Sequence, residues 1–327
     1  MTRFSFRVPH FAFRVYALYG LRVLRVFIGV FRAAALLILL AANLVVMGTP
    51  VALLGILKWL TPGRLRREYF RILVPLSSAW VTNNDRIFDA LLPTRYEVRG
   101  IPETKLDGRF LIISNHISWI DIAVIFRVFT WRLPFIRFFL KRPLIFSPIL
   151  GQACWAMDFP FMRRYSPEYL EKHPEKRGAD LVTTRTACRR YKKIPVSILN
   201  FVEGTRFSRE KHADQESPYL HLLRPRYGGI SYVFASMGDM LDAMYDVTLA
   251  FPGIPDATFW TYISGQLPRI VIDIREIPLR PEFFDESVTR PGANREAFKA
   301  WMSGIWDEKD RRLDELLREA SRRDAIG

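Results

Sequence analysis

Cysteine is scarce in this chain, and the scarcity argues against two ways of stabilising a fold. Cys154 and Cys188 lie 34 residues apart, and neither has a second Cys or a His at the spacing of a metal-ligand pair. A structural zinc site needs more Cys or His ligands at suitable spacing, and a disulfide framework needs more cysteines. We therefore expect two buried thiols in a reducing compartment, and we predict no metal site.

Acidic residues are almost absent from the first quarter of the chain. Residues 1–84 hold eleven Arg or Lys and a single acid, Glu68, so they carry +10 of the net charge of +15. A nucleic-acid-binding protein can be this basic. Here, however, the positive charge flanks the most apolar stretch of the chain, which favours anionic lipid head groups as the partner. We predict a membrane surface, and no nucleic acid, as the partner of this segment.

Charge of either sign is absent from residues 33–57. These 25 residues exceed the roughly 20 that a helix needs to cross the hydrocarbon core of a bilayer. The run is too long and starts too late for a cleavable signal peptide, but an uncleaved signal anchor stays open. Gly48 and Pro50 lie inside the run and can bend it, so a single span and a re-entrant hairpin both fit the sequence.

A second membrane signal precedes the apolar run. Four arginines recur at a spacing that puts them on one side of a helix, with aromatic and aliphatic residues beside them. They are Arg14, Arg22, Arg25 and Arg32. This pattern is typical of a helix that lies in the membrane interface. Residues 1–84 are therefore predicted to form basic amphipathic and hydrophobic membrane-anchoring helices.

From about residue 96, short apolar runs alternate with longer amphipathic segments. Four of the runs have the composition of buried strands, at residues 110–114, 196–202, 246–251 and 268–274. Residues 120–129 and 180–192 have helical periodicity. The alternation predicts an α/β domain over residues 85–285, with a central, mostly parallel sheet layered with helices. Residues 286–327 are predicted to add a C-terminal amphipathic helix packed on that domain.

Two polar clusters follow predicted strands, which is where the reactive groups of α/β proteins gather. The first is residues 114–121 (SNHISWID), in which His116 precedes Asp121 by five residues across a strand-to-helix turn. The carboxylate can hold one imidazole nitrogen and leave the other free as a general base. Taken alone, the spacing fits a hydrogen-bonded structural histidine equally well.

The second cluster is Glu203, Gly204, Thr205 and Arg206, directly after the strand at residues 196–202. Backbone N–H groups at such a turn and an arginine side chain both suit a phosphate. In isolation, a tight turn held by a local Glu–Arg pair explains the cluster as well. The presence of both clusters, each after a strand, instead indicates a catalytic site for a phosphate-bearing substrate.

Together the clusters resemble the HX4D and EGTR blocks of the glycerolipid acyltransferase family, which includes 1-acylglycerol-3-phosphate and other lysophospholipid acyltransferases. Four further stretches resemble family blocks, at residues 141–151, 161–164, 222–229 and 250–252. The sequence departs from the family at Asp158, where many members have Gly, and at Val202, where Pro is usual. The form VEGTRFS resembles the subgroup with lysocardiolipin acyltransferases, so the resemblance leaves the acceptor open.

The resemblance implies a role for each motif residue. His116 would deprotonate the free hydroxyl of a lysophospholipid, and Asp121 would orient His116. Arg164 and Arg206 would bind the phosphate of the acceptor. The residues expected to shape the phosphate site or support the two turns are Glu203, Gly204, Asn115, Ser118, Lys141 and Thr205.

The same resemblance implies the reaction partners. An acyl-coenzyme A or acyl carrier protein would supply the acyl group as co-substrate, with no cofactor, and the acceptor would come from the membrane phospholipids. Lysophosphatidic acid is the first expectation, and lysocardiolipin or lysophosphatidylinositol the alternative. The expected location is a bacterial inner membrane, with the active site on its cytoplasmic face.

Two other classes of protein compete with this interpretation. A hydrolase built on the same dyad would need an exposed nucleophile, and the chain contains no Gly-x-Ser-x-Gly elbow. A non-enzymatic, membrane-tethered adaptor that binds RNA or protein through its basic residues 1–71 would explain that segment but not the two clusters.

Overall fold

A long helical rod and a returning helix precede the first strand in the computed structural model, which describes residues 10–162, 167–173, 179–254 and 257–326. Helices α1 (His10–Asn43) and α2 (Thr49–Leu60) form this anchor rod, joined by the π-helical turn Leu44–Gly48. After a reversal that includes the 3₁₀ turn Gly63–Arg67, α3 (Phe70–Leu91) runs back along the rod. Helix α3 continues through residue 84, the predicted boundary of the anchor segment.

The hairpin alternative at Gly48 and Pro50 is wrong, because both residues are helical. Pro50 falls in the first turn of α2, where a missing N–H breaks no helical hydrogen bond, and the preceding π turn accommodates the change. As a result Val26–Leu60 is, among the described residues, the one helix long and apolar enough to cross a bilayer.

One side of the anchor rod packs on the rest of the molecule and the other side is apolar and exposed. The buried side includes Ala33, Leu36, Gly48, Val51 and Gly55. The most exposed apolar side chains on the other side are Val26, Phe27, Phe31, Ile38, Val46, Trp59 and Leu60. In the predicted arginine stripe, Arg32 reaches the carbonyl oxygen of Ser264 at 3.5 Å. The side chains of Arg14, Arg22 and Arg25 lie outside the described part of the structure.

A six-stranded sheet forms the centre of the domain, in the order β1-β8-β7-β2-β6-β3. Its strands are β1 (Arg95–Arg99), β2 (Arg109–Ser114), β3 (Ile136–Phe138), β6 (Val196–Phe201), β7 (Ala243–Ala250) and β8 (Arg269–Ile277). Strands β7, β2, β6 and β3 are parallel, and the pair β7–β8 is antiparallel. The predicted α/β fold with a mostly parallel sheet is confirmed. The carboxyl ends of β2, β6 and β7 meet at one edge, where the two polar clusters lie.

Helices cover both faces of this sheet. The shorter elements that complete the domain are α4 (Ile120–Phe129), β4 (Leu140–Lys141), α5 (Leu150–Ala156), β5 (Phe161–Met162), α6 (Pro167–Lys172), α7 (Ala179–Tyr191), α8 (Arg209–Asp214), α9 (Gly228–Met237) and α10 (Phe259–Ile263). Side chains alternate along β2, so that Phe110 and Ile112 join the core under α1–α5, while Leu111 and Ile113 join the core under α7 and α9. Two hydrophobic cores therefore hold the sheet between helical layers.

The segment predicted as a C-terminal amphipathic helix is α11 (Ala293–Ile326), and its inner face carries a charge. Phe298, Met302 and Leu313 are buried in the second core, as the spacing predicts. Lys309 on the same face is 0% exposed, and its Nζ lies 2.7 Å from Asp246 Oδ1 and donates to the carbonyl oxygen of Val247 at 2.6 Å. An ion pair thus joins the last helix to the middle of the sheet.

We expect the change Lys309→Ala to lower the free energy of unfolding by about 3 kcal/mol, because it removes one cation from the buried Asp246 carboxylate. Lys299→Ala is the matched control, since Lys299 lies on the same helix and pairs with Glu296 at the surface. Its effect should stay within about 0.5 kcal/mol. Chemical denaturation in detergent micelles measures both variants. Equal effects would show that the buried pair contributes no more than a surface pair.

Candidate active site

The strand-to-helix turn after β2 brings His116 and Asp121 into direct contact. His116 Nδ1 lies 2.7 Å from Asp121 Oδ2, which also accepts hydrogen bonds from the backbone N–H groups of Ile117 (2.6 Å) and Ser118 (2.9 Å). Because the carboxylate engages Nδ1, that nitrogen carries the proton and Nε2 is the acceptor. Nε2 has no hydrogen-bond partner among the described residues. The geometry suits a general base that is oriented by a carboxylate.

The surroundings of the dyad restrict both side chains. Asp121 is fully buried, which raises the pKa of its carboxyl, while the hydrogen bonds from His116, Ser118 and Ile117 oppose that rise. The imidazole ring stacks on Phe201 at the end of β6, with ring centroids 4.0 Å apart and planes 17° apart. Only 15% of the His116 side chain is exposed. The ring is therefore fixed on one face and held at one nitrogen.

Asn115 ties the dyad turn to the neighbouring strand. Its side-chain amide donates to the carbonyl oxygen of Leu249 at 3.0 Å and accepts from the Leu249 N–H at 2.9 Å. The side chain thereby extends the pairing of β2 with β7 by one residue beyond Ser114. Of the expected supporting residues, Asn115 holds the turn through its side chain and Ser118 through its backbone N–H.

Glu203 connects the turn that carries His116 and Asp121 to the segment around Leu223. It is 1% exposed, and its two carboxyl oxygens accept from the backbone N–H groups of His116 and Leu223, each at 3.4 Å. Burial raises the pKa of Glu203 to about 8, and the two N–H groups oppose the rise. Glu203 therefore lies behind the dyad and holds two turns together, and it is largely protonated at neutral pH.

The turn at Gly204 needs glycine for two reasons. Its φ of +66° is a left-handed conformation that side chains with a Cβ disfavour, and a Cβ there would lie 2.9 Å from Arg226 Cδ. Two residues past Thr205, the N–H of Phe207 donates to the carbonyl oxygen of His116 at 2.7 Å. The two sequence clusters are thus joined by backbone hydrogen bonds.

A cleft of about 960 Å³ opens beside this turn and is lined by cations. Its lining comprises Lys141, Arg142, Pro143, Phe146, Met162, Gly204, Thr205, Lys211, Gln215 and Arg226. Four of these ten residues are cationic and none is acidic. Because a lining with four cationic and no acidic residues favours anions, the cleft suits a phosphate-bearing ligand.

The cleft contains some of the predicted site residues and lacks others. Lys141, Gly204 and Thr205 line it, whereas Arg206 places its guanidinium 5.0 Å from the centre of the Trp119 ring. Arg164 lies outside the described residues, although Met162, two residues earlier, lines the cleft.

Three cations of the cleft were missed by the motif analysis. They are Arg142, Lys211 and Arg226. Arg142 and Arg226 lie inside blocks that resemble the family, and Lys211 lies five residues past Arg206. The signal available in the sequence was therefore a basic residue within or close to such a block. The ammonium group of Lys211 also donates to Thr205 Oγ1 and to the carbonyl oxygen of Arg206, both at 2.9 Å.

Asp158, one of the departures from the family, has a left-handed backbone conformation of the kind that favours glycine. Its φ is +59°, and its carboxylate lies 3.0 Å from Lys58 Nζ on the anchor rod. Lys58 Nζ also donates to the carbonyl oxygen of Ala156 at 2.6 Å. We attribute the tolerance of a left-handed aspartate at this position to the ion pair that its side chain gains.

Comparison with known proteins identifies the class of this domain. Residues 95–251, which contain both clusters, match the family model described as Acyltransferase. The part of the chain that carries both clusters is therefore similar to the domain of that family. In fold, the chain is similar to the crystal structure of the 1-acyl-sn-glycerophosphate (LPA) acyltransferase PlsC from Thermotoga maritima, with a TM-score of 0.54 and 16% identity over 89% of this chain and 97% of that one.

Two curated relatives indicate the kind of acyltransferase. The chain is 27% identical to lysocardiolipin acyltransferase 1 of Danio rerio over 282 residues, which cover 81% of this chain and 66% of that protein. It is 26% identical to 1-acyl-sn-glycerol-3-phosphate acyltransferase delta of Homo sapiens over 190 residues, 54% of this chain and 44% of that protein. The chain thus spans less than two thirds of either relative. Both relatives are acyltransferases by name.

The raised pKa of Glu203 predicts a pH-dependent stability that Glu203→Gln should abolish. In the unfolded chain this carboxyl titrates near 4.5, so between 4.5 and about 8 the folded protein holds a proton that the unfolded chain has lost. Raising the pH through this window therefore lowers the free energy of unfolding, by up to about 1.4 kcal/mol per pH unit. The stabilisation is complete below pH 4.5 and is lost as the pH approaches 8.

We expect the stability of Glu203→Gln relative to the unsubstituted protein to improve steadily as the pH rises from 5 to 8, because the amide has no proton to lose. Thermal unfolding at each pH measures the difference. Glu210→Gln, on the exposed helix α8, is the matched control and should show the same offset at every pH. A pH-independent offset for Glu203→Gln as well would contradict the buried, protonated carboxyl.

Proposed function

We propose that this protein transfers a fatty acyl group from acyl-coenzyme A, or from acyl carrier protein, to the free hydroxyl of a lysophospholipid, and that 1-acylglycerol-3-phosphate is the preferred acceptor. The observation that carries the proposal is the His116–Asp121 contact of 2.7 Å on a turn that is hydrogen-bonded to Phe207, two residues past Thr205 in the lining of a cationic cleft. A general base next to an anion site suits a phosphate-bearing substrate that reacts through a hydroxyl.

The chemistry follows from the two nitrogens of one ring. His116 Nε2 takes the proton of the acceptor hydroxyl, and the oxygen of that hydroxyl attacks the thioester carbonyl. Asp121 stabilises the imidazolium that forms and keeps Nδ1–H in place. When the tetrahedral intermediate collapses, the new ester remains on the acceptor, and the thiol of the carrier leaves with the proton from His116.

The cleft favours an acceptor with exposed negative charge. Lys141 and Arg226 both line it and, unlike Lys211, have no hydrogen-bond partner for the side chain among the described residues. A phosphate monoester carries more charge than a diester and gains more from such cations. A lysocardiolipin acceptor is the second candidate, because the Danio rerio relative of that name aligns with 81% of this chain.

The anchor rod supports a location at a membrane, which we propose to be the cytoplasmic face of a bacterial inner membrane. The rod contacts the domain from Gly29, beside Ser264, to Lys58, beside Asp158, which is roughly 40 Å of helix. Since a helix in contact with a water-exposed domain over this length cannot cross a bilayer there, the rod lies along the surface with its apolar side in the lipid.

His116→Ala should abolish acyl transfer, because it removes the base while leaving the fold intact. The measurement is transfer of labelled acyl groups from acyl-coenzyme A to lysophosphatidic acid by purified protein in mixed micelles. His173→Ala, a change distant in the chain from both motifs, is the matched control and should retain activity. Substantial transfer by His116→Ala would contradict its role as the base, and a non-enzymatic adaptor would show no activity in either variant.

Removing a cleft cation should weaken acceptor binding rather than the chemical step. We expect Lys141→Ala and Arg226→Ala each to raise the KM for lysophosphatidic acid about tenfold with little change in kcat, as expected for the loss of a charge-assisted contact. Lys192→Ala, exposed at the opposite edge of the sheet, serves as the control. A fall in kcat with an unchanged KM would place these cations outside the acceptor site.

A panel of acceptors tests the substrate itself. We expect kcat/KM to be higher for lysophosphatidic acid than for monolysocardiolipin or lysophosphatidylinositol presented in the same micelles. A reversed order would establish the lysocardiolipin alternative and leave the reaction unchanged.

A further inference from the structure

Phe146 is the most exposed large hydrophobic side chain among the described residues, at 80%. It ends the 3₁₀ turn Arg142–Phe146, between β4 and α5. Leu150, four residues later, is 42% exposed. An aromatic and an aliphatic side chain that both point into water on one short segment mark an interaction surface.

This rim segment, residues 142–150, forms part of the wall of the cationic cleft. Phe146 and Arg142 line the cleft together with Lys141, and both cations have exposed side chains. The exposed apolar side chain therefore lies at the mouth of the anion site, next to positive charge. Apolar side chains bordered by Lys and Arg match the interface of a membrane that contains anionic lipid.

The rim segment is also fixed to the anchor rod. Ile149 packs against the π turn so closely that a Cβ on Gly48 would lie 2.8 Å from Ile149 Cγ2. Ile149 has a φ of +62°, which is rare for a β-branched residue and persists only where packing holds it. Next along the segment, α5 packs on α2, where a Cβ on Gly55 would lie 2.4 Å from Ala156 Cβ.

We propose that the rim segment is a second membrane contact, in which Phe146 and Leu150 insert into the bilayer beside the anchor rod while Arg142 meets the phosphates of anionic lipids. Ile149 holds this segment against the rod, so that both enter the same surface. The mouth of the cleft then opens into the lipid leaflet. With the proposed function, the consequence is that the acceptor moves from the bilayer into the cleft without passing through water.

A lipid surface fits this segment better than a protein partner. The exposed apolar side of the rod continues next to the contact with Ile149, where Val45 and Val46 are 54% and 67% exposed. In the part of the chain that the structure describes, no acidic residue lines the neighbouring cleft. The segment thus extends an apolar, cationic face that already runs along the rod.

A fluorophore at position 146 tests the contact directly. Burial raises the pKa of Cys154 to about 12 and that of Cys188 to about 11, so the native thiols react slowly and a new cysteine can be labelled selectively. The variants Phe146→Cys and Leu106→Cys are labelled with the same nitrobenzoxadiazole dye in the full-length protein. Leu106 is the matched control, because it is 51% exposed and precedes β2, at the opposite edge of the sheet.

The labelled proteins are mixed with vesicles of equal parts phosphatidylglycerol and phosphatidylcholine, with and without spin-labelled lipid. We expect the dye at position 146 to brighten severalfold and to be quenched by the spin label, and the dye at 106 to do neither. If vesicle-bound protein gives the same signal at both positions, the rim segment is not in the lipid and the proposal fails. A signal change at 146 that requires an added protein would likewise overturn it.

Vesicle sedimentation gives a second, label-free measurement. Phe146→Ser combined with Leu150→Ser should weaken binding to the same vesicles about tenfold or more, while Leu106→Ser should bind as the unsubstituted protein does. Equal binding by all three proteins would contradict the proposal. Neither measurement depends on catalysis, so a protein that inserts position 146 but transfers no acyl group would refute the proposed function alone.

Discussion

The site depends on one buried carboxyl group, that of Glu203. Its two oxygens hold the backbone of His116 on one side and of Leu223 on the other, and Leu223 in turn accepts a hydrogen bond from the indole N–H of Trp306 on the last helix, at 3.1 Å. Burial raises the pKa of this carboxyl, so it carries less negative charge toward an anion in the cleft nearby than an exposed glutamate would. The dyad therefore owes its position to contacts that reach the far end of the chain.

The sequence predicts those strands and helices in which apolar residues form a run or recur at a regular spacing. Strands β2, β6, β7 and β8 each contain a short, mostly apolar run because both faces of the sheet are covered there. Strand β1 (RYEVR) escaped notice because three of its five residues are charged, and β3 because it has only three residues. In α11 the apolar spacing shows the buried face, but nothing local distinguishes Lys309 from the many exposed cations of the same helix.

The candidate site was predictable from the sequence only where its residues lie close together in the chain. His116, Asp121 and residues 203–206 lie close together in the chain, so their spacing and their position after strands identify them. The cleft is formed by segments that are far apart, and Arg142 and Arg226 come together only through the pairing order of the sheet. The course of the rod was ambiguous because a proline at the start of a helix and a proline at a bend look alike in sequence.

The ion pair between Lys58 and Asp158 has a consequence for how the protein is made. The rod leaves the ribosome a hundred residues before its partner, so it can reach a membrane while the strands that follow are still being synthesised. The groove between α5 and the rod then closes on a helix that is already in the lipid. A chain synthesised without its first 69 residues would fold with Asp158 in a left-handed conformation without its Lys58 partner and with Ile149 and Ala156 exposed to water. Removing the rod to obtain a water-soluble catalytic domain would thus damage the wall of the cleft, although the truncation is meant to preserve that cleft.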